Sequence, residues 1–321
     1  MATITMKRLF TTIALLLAVV ATSAQEVVKT THHYATHDGI ELMLDRYDVV
    51  TESDYARPCM IFAFGGGFYR GERDNEMYIS YFERLAREGI VAISIDYRLG
   101  LNLAPPASNY ITMTKTLIWT VDIAVEDLYA ATNYVINNAE EWSIDPTLIM
   151  ISGSSAGAIT ALQAEWLRCN GDDRAKVLPE EFRYAGVVSC AGAIFTTKGK
   201  PKFKSEAAPM LLFHGTSDSN VPYHKSSIMG IGFYGSKHIV KQLNKIKSPY
   251  YFYSAQHVTH TLAATPLLDQ QELILQFIND YVMRGRRLYI QADITDPTIP
   301  QRPTRFTPMD YLRTNYGGGK N

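Results

Sequence analysis

Ser155 sits in Gly153-Ser154-Ser155-Ala156-Gly157, a G-x-S-x-G spacing. The apolar run Leu148 to Ile151 precedes it and reads as a buried strand. Ala158 to Leu167 follows and reads as a helix. A serine on a sharp strand-to-helix turn occupies strained backbone, so the residues two positions away must lack bulk. Gly153 and Gly157 meet that need. The turn lifts the Ser155 hydroxyl clear of the sheet. It also places the Ala156 N–H at a helix N-terminus, where a developing oxyanion is favoured. The chemistry this arrangement suits is nucleophilic attack on a carbonyl.

A serine hydroxyl is a weak nucleophile until a base takes its proton, and the base must itself be oriented. Asp218, in His214-Gly215-Thr216-Ser217-Asp218 after an apolar strand, stands where a carboxylate could orient an imidazole. His257 and His260 lie between a strand and the last long helical pattern, and either can be the base. The order Ser, Asp, His, each after a strand, is one of the three known orders of this triad. Phe64-Gly65-Gly66-Gly67-Phe68 also follows a strand. Its glycines let the N–H groups of Gly66 and Gly67 face a cavity without a Cβ in the way, the construction of a main-chain oxyanion hole.

These residues need a frame. Val27 to Thr36 and Ile40 to Val50 read as a hairpin about Asp38-Gly39. Pro58 to Phe64, Ile90 to Ile95, Tyr184 to Ser189, Met210 to Phe213 and Tyr250 to Ser254 read as buried strands. Helical spacing marks Tyr78 to Ala86, Val125 to Ala139, Ser236 to Lys247 and a helix opened by Pro266 that runs to Tyr281. Alternating strands and helices predict an α/β fold, with a mostly parallel central sheet, an antiparallel N-terminal hairpin and helices on both faces. Residues 100–116, with Pro105-Pro106, read as an irregular lid or pocket wall. Residues 285–321 carry four prolines and no clear period, and read as a tail that wraps the surface or stays loose.

The chain has 321 residues, 46% hydrophobic, with net charge −1. That supports one large core and gives no reason to expect nucleic acid or an anionic membrane as partner. Lys7 and Arg8, the apolar run Leu9 to Ala21 and the small residues Thr22-Ser23-Ala24 read as a signal peptide over 1–24, cleaved before Gln25. The expected location is periplasmic or secreted, without stable membrane insertion, and the expected catalytic domain is 25–284. Cys59 and Cys190 lie in apolar runs and read as buried thiols; a Cys169–Cys190 bridge stays open in an exported chain. No Cys/His cluster has metal-site spacing, so no metal and no cofactor is expected.

From about Ile40 to Met283 the sequence resembles α/β-hydrolases of the esterase/lipase group. It is nearest to the feruloyl-esterase-like family of Bacteroidetes type, and further off to hormone-sensitive-lipase-like and carboxylesterase proteins. The resemblance is carried by Gly65-Gly66-Gly67-Phe68, Asp96-Tyr97-Arg98-Leu99, Asp145-Pro146, the Ser155 turn, and His214 to Asp218 with Val221-Pro222. Phe64 departs from the family's histidine before the glycines. Gln256-His257-Val258-Thr259-His260 replaces the usual Gly-His-Gly setting of the base. His260 is favoured by the layout His260-Thr261-Leu262-Ala263-Ala264-Thr265-Pro266, which matches the family; His257 is favoured by its nearness to the strand end.

The resemblance implies a serine esterase with Ser155, Asp218 and His260 as triad and Gly66, Gly67 and Ala156 as oxyanion donors. Its expected substrate is a small-molecule or polysaccharide ester, with acetyl or feruloyl groups on carbohydrate. The competing expectations are a serine exopeptidase-like hydrolase and a non-catalytic binding protein that keeps the fold.

Overall fold

Two long strands, β1 (Val27–His37) and β2 (Ile40–Val49), pair antiparallel around Asp38-Gly39. Both turn residues hold positive φ, 52° and 76°, as a two-residue hairpin of right-handed twist requires. The protein is described by a computed structural model over residues 26–50, 55–107 and 109–316. The segment 1–24 read as a signal peptide lies outside these residues.

After the hairpin come β3 (Arg57–Ala63), α1 (Glu76–Arg87), β4 (Val91–Ile95), the single turn α2 (Gly100–Leu103) and the long helix α3 (Tyr110–Asn137). Then follow β5 (Ile144–Ser154), α4 (Ala156–Cys169), β6 (Gly186–Cys190), β7 (Ala193–Thr196) and β8 (Met210–Gly215). The chain continues with β9 (Lys225–Ile228), β10 (Ile231–Gly235), α5 (Ser236–Ile246), β11 (Tyr250–Ala255), α6 (Pro266–Asp269) and α7 (Gln271–Phe277). It closes with β12 (Tyr289–Ile294) and α8 (Pro308–Tyr316).

The main sheet has nine strands in the order β1-β2-β4-β3-β5-β6-β8-β11-β12. From β4 to β12 every neighbour is parallel; β2 alone runs against the rest. This is the mostly parallel α/β sheet with an antiparallel hairpin at one edge. The central strands β4 and β6 are buried along their whole length, the mark of a sheet covered on both faces. Helix α1 packs with α6 and α7, and α3 packs with α4.

Three parts of the frame differ from what the pattern predicts. The irregular stretch 100–116 holds α2, and α3 starts at Tyr110, well before the expected Val125. Asn109 caps that start: its side chain accepts from Thr112 N at 3.0 Å, and the Thr112 hydroxyl accepts from Asn109 N at 3.1 Å. The segment after Gly285 has no apolar period because its strand is an exposed edge, yet Tyr289–Ile294 pairs in register with Tyr250–Ala255. A second sheet, β7-β10-β9, has no counterpart in the pattern reading. Its strands are four or five residues long, too short for alternation to show. Cys59, Cys169 and Cys190 are free and buried, so Cys169 and Cys190 form no bridge. Burial pushes all three thiols up, which leaves them unreactive.

Candidate active site

Ser155 follows β5 and caps α4 with φ 49° and ψ −111°, a conformation that costs a non-glycine residue about 1–3 kcal/mol. Two bonds hold it: Ser155 N donates to Cys190 O at 2.9 Å, and Ile159 N to Ser155 O at 2.9 Å. The flanking glycines are enforced by space. A Cβ on Gly153 would lie 2.3 Å from the Gly157 carbonyl carbon, and one on Gly157 would lie 2.0 Å from Ala63 O. Strand β3, the turn and the helix start thus touch backbone to backbone.

His260 follows β11 in a short helical turn. Its Nε2 lies 2.8 Å from Ser155 Oγ, and its Nδ1 lies 2.7 Å from Asp218 Oδ2. A carboxylate only accepts, so Nδ1 carries the proton and Nε2 is left to accept from the serine hydroxyl. Asp218 is fully buried; its Oδ1 accepts from Asn220 N at 2.8 Å and Val221 N at 2.9 Å. Burial by itself would raise its pKa. Hydrogen bonds from His214 and His260, and their charge, outweigh burial and hold the carboxyl well below the usual range.

His257 is turned away. Its N–H donates to Thr216 Oγ1 at 2.8 Å, and its Nδ1 lies against the Arg302 backbone. Of the two histidines left open by the sequence, His260 is the one within reach of Ser155 and Asp218.

Gly67 and Ala156 border the cleft beside Ser155; Gly66 is not among the cleft-lining residues. Gly66 has φ 131°, and its carbonyl accepts from Tyr69 N and Arg70 N, which curls the loop. A Cβ there would meet Arg70 O at 2.0 Å. Among the described residues, no backbone partner takes the N–H of Gly66, Gly67 or Ala156. Of the three, Gly67 and Ala156 border the cleft.

The glycine loop is braced by aromatics. The Phe64 ring lies 4.5 Å from the Tyr97 ring, and Tyr97 donates to Phe64 O at 2.9 Å. The neighbours of Tyr97 tie this brace to the frame. Asp96 accepts from Arg73 at 2.9 Å, and Arg98 pairs with the buried Asp127 at 2.9 Å. The Asp96-Tyr97-Arg98 motif therefore supports the glycine loop, and none of the three lines the cleft.

The cleft encloses about 110 Å³. Its walls are mostly apolar, with Phe68, Leu117 and Ile159 from the core side, Phe195 and Phe233 from the small sheet and Leu312 from α8, and with Asn220, Ser226, Ser227 and Asn315 as polar lining. Among the described residues no Asp, Glu, Lys or Arg lines it. Met113 and Thr114 come from the region read as a pocket wall.

Two contributors escaped the sequence reading. His214 is fully buried under the acid: its Nε2 donates to Val221 O at 3.2 Å and lies 3.5 Å from Asp218 Oδ2, while its Nδ1 accepts from Ser236 Oγ at 2.8 Å. Its only signal was its place before Gly215 in the acid's loop. The segment from Arg302 to Asn315 is the other. Tyr311 donates to Asp218 O at 3.3 Å, and Asn315 donates to Asn220 O at 2.9 Å. Among the described residues no group of three or more His, Cys, Asp or Glu is placed to hold a metal ion, and no helix is long and apolar enough to cross a membrane.

Comparison with known proteins agrees with this architecture. A family model described as BD-FAE matches residues 44–193, a little under half of the chain. That stretch includes Gly66, Gly67, Ser155 and Ala156; Asp218 and His260 lie beyond it. Fumonisin B1 esterase of Sphingopyxis macrogoltabida is 32% identical over 105 residues, 32% of this chain and 18% of that protein. Juvenile hormone esterase of Heliothis virescens is 30% identical over 105 residues, 33% of this chain and 17% of that protein. The match thus spans under a fifth of the length of these relatives. The fold is shared with Thermogutta terrifontis esterase 2 phosphoramylated by tabun, at 21% identity and TM-score 0.58, covering 78% of this chain and 94% of that one.

Proposed function

We propose that this chain, which shares the fold of a known esterase, is an exported serine carboxylic-ester hydrolase acting through Ser155, His260 and Asp218. The observation that carries this reading is the unbroken relay from Ser155 Oγ to His260 Nε2 at 2.8 Å and from His260 Nδ1 to Asp218 at 2.7 Å. His260 takes the serine proton as Oγ attacks the ester carbonyl. The imidazolium that forms is stabilised by the ionised Asp218. The oxyanion is received by N–H groups of Ala156 and Gly67, with Gly66 holding the loop or adding a third donor. His260 then returns the proton to the leaving alcohol. Water, activated by the same histidine, releases the acid.

The substrate we propose is a neutral acyl group, acetyl or feruloyl, carried on carbohydrate. A mostly apolar cleft without a charged wall supports an uncharged acyl part, because an ionised one would be desolvated there without a partner. Export is supported by the pattern of residues 1–24. Purified protein should hydrolyse p-nitrophenyl acetate, and a fluorophosphonate probe should label Ser155. No turnover together with an unlabelled Ser155 would remove the enzyme reading and leave a binding protein. Acetylated xylan against methyl ferulate then separates the two acyl classes.

A further inference from the structure

Between Lys198 and Lys247 there are nine lysines and no arginine, against two carboxylates, Glu206 and the buried Asp218. The whole chain carries net charge −1, so positive charge is concentrated in this stretch. The fold gathers part of it. Lys200, Lys225, Lys241 and Lys245, with His224 and His238, line a groove of about 430 Å³. On α5 the residues Lys237, Lys241 and Lys245 repeat at four-residue steps, about 6 Å apart along the helix. The lysine ion pairs of the described residues are Lys29–Asp45 and Lys176–Asp173, so none of the groove's lysines has a carboxylate partner. Two histidines register the field. Burial, then the charges of His224, Lys200, Lys241 and Lys245, bring His238 down to about 4. Burial with Lys241, Lys225 and Lys237 lowers His224.

The groove adjoins the cleft. Strand β9 gives Lys225 to the groove and Ser226, Ser227 and Ile228 to the cleft wall. We propose that this groove binds the anionic chain of a carboxylate-bearing polysaccharide whose neutral ester enters the cleft beside Ser155. The ester half rests on the hydrolase reading above; the polymer half rests on the groove. Lysines are mobile point charges rather than planar forks, which suits carboxylates spaced along a chain better than one rigid phosphate. The groove's described lining carries no Phe, Tyr or Trp, the larger rings on which bases of single-stranded nucleic acid stack; its only rings are the imidazoles of His224 and His238. It contains no apolar side chain to enter a lipid surface.

The test uses the full-length protein in native gels containing polygalacturonate, with a neutral polysaccharide as control. The protein should be retarded by polygalacturonate alone, and added salt should abolish the effect, since exposed charges are screened. The variant Lys225→Glu/Lys241→Glu/Lys245→Glu should bind at least about tenfold more weakly. Its p-nitrophenyl acetate hydrolysis should be unchanged, because these side chains do not line the cleft. A Lys→Gln version at the same positions should fall between the two. Equal retardation of wild type and variant, or no retardation, overturns the proposal. So does tighter binding to phosphatidylserine vesicles or duplex DNA than to polygalacturonate. Retardation without p-nitrophenyl acetate turnover overturns the hydrolase reading and, with it, delivery of an ester to Ser155; turnover without retardation overturns the groove.

Discussion

The turn around Ser155 and the strap from Arg302 to Asn315 border the same cleft but are held there by opposite means. The turn is held by exclusion: Gly153 and Gly157 have no room for a Cβ, because three backbones meet within van der Waals distance. The strap is held by scattered hydrogen bonds. Ser217 and His257 contact Arg302, Tyr311 reaches Asp218 O, and Asn315 reaches Asn220 O. Each partner is 45 to 95 residues away in sequence. Steric exclusion by backbone, from the turn itself at Gly153 and from β3 at Gly157, prescribes residue types. Hydrogen bonds to carbonyls at long range can be made by many side chains and prescribe almost none.

If the comparison is sound, changes at the turn side should cost chemistry and changes at the strap should cost fit. The largest effect belongs to Ser155→Ala, which should lower kcat by on the order of 10⁶ while circular dichroism and Tm stay near wild type. His260→Ala should fall almost as far and His257→Ala should keep most activity. The reverse pattern would move the base to His257 and contradict the relay.

Next is Asp218→Asn, expected to cost roughly 10⁴ in kcat through loss of the correct imidazole tautomer. It has a second readout. The pKa of Asp218 is depressed in the folded protein, so its ionised form adds stability above the unfolded carboxylate pKa of about 3.9. That contribution is lost as pH falls through the lower folded value. Denaturation midpoints measured below about pH 4 should therefore fall less steeply with acid in the variant than in wild type. Parallel slopes would mean that Asp218 is not a buried, ionised partner of the histidines.

Gly67→Val should cost roughly 3–4 kcal/mol in the activation barrier, since φ 64° and the Tyr69 ring leave no place for the side chain and the N–H must turn. Gly66→Val separates donor from support: a loss as large, with labelling of Ser155 by the probe intact, would make Gly66 a donor too.

The smallest effects belong to the strap. Tyr311→Phe removes one hydrogen bond of about 1 kcal/mol and should change kcat by a few-fold at most. Leu312→Ala should raise KM for longer acyl chains more than for acetate, with kcat for p-nitrophenyl acetate nearly unchanged. If either variant lost as much kcat as Asp218→Asn, the strap would be part of the chemistry and the contrast with the turn would fail.

The sequence by itself determined the parts whose geometry tolerates few residue types. The positive φ values of Asp38 and Gly39 made the hairpin legible. Buried strands announced themselves as apolar runs, because a sheet covered on both faces admits little else. The Ser155 turn and the glycine loop were legible for the same reason. Tertiary structure alone decided what depends on distance between remote segments. It brought His260, and not His257, within reach of Ser155 and Asp218, although both follow β11. It put His214 beneath Asp218, a contact that an apolar strand pattern does not encode. It brought β12 to the sheet edge and α8 to the cleft, because an exposed strand and a short capping helix need only a few local bonds and leave no period to read. It also set Lys200, Lys225 and Lys241 around one groove, where the chain shows only lysines spread over some forty residues. Charges acquire a common direction only when the fold brings their backbones together.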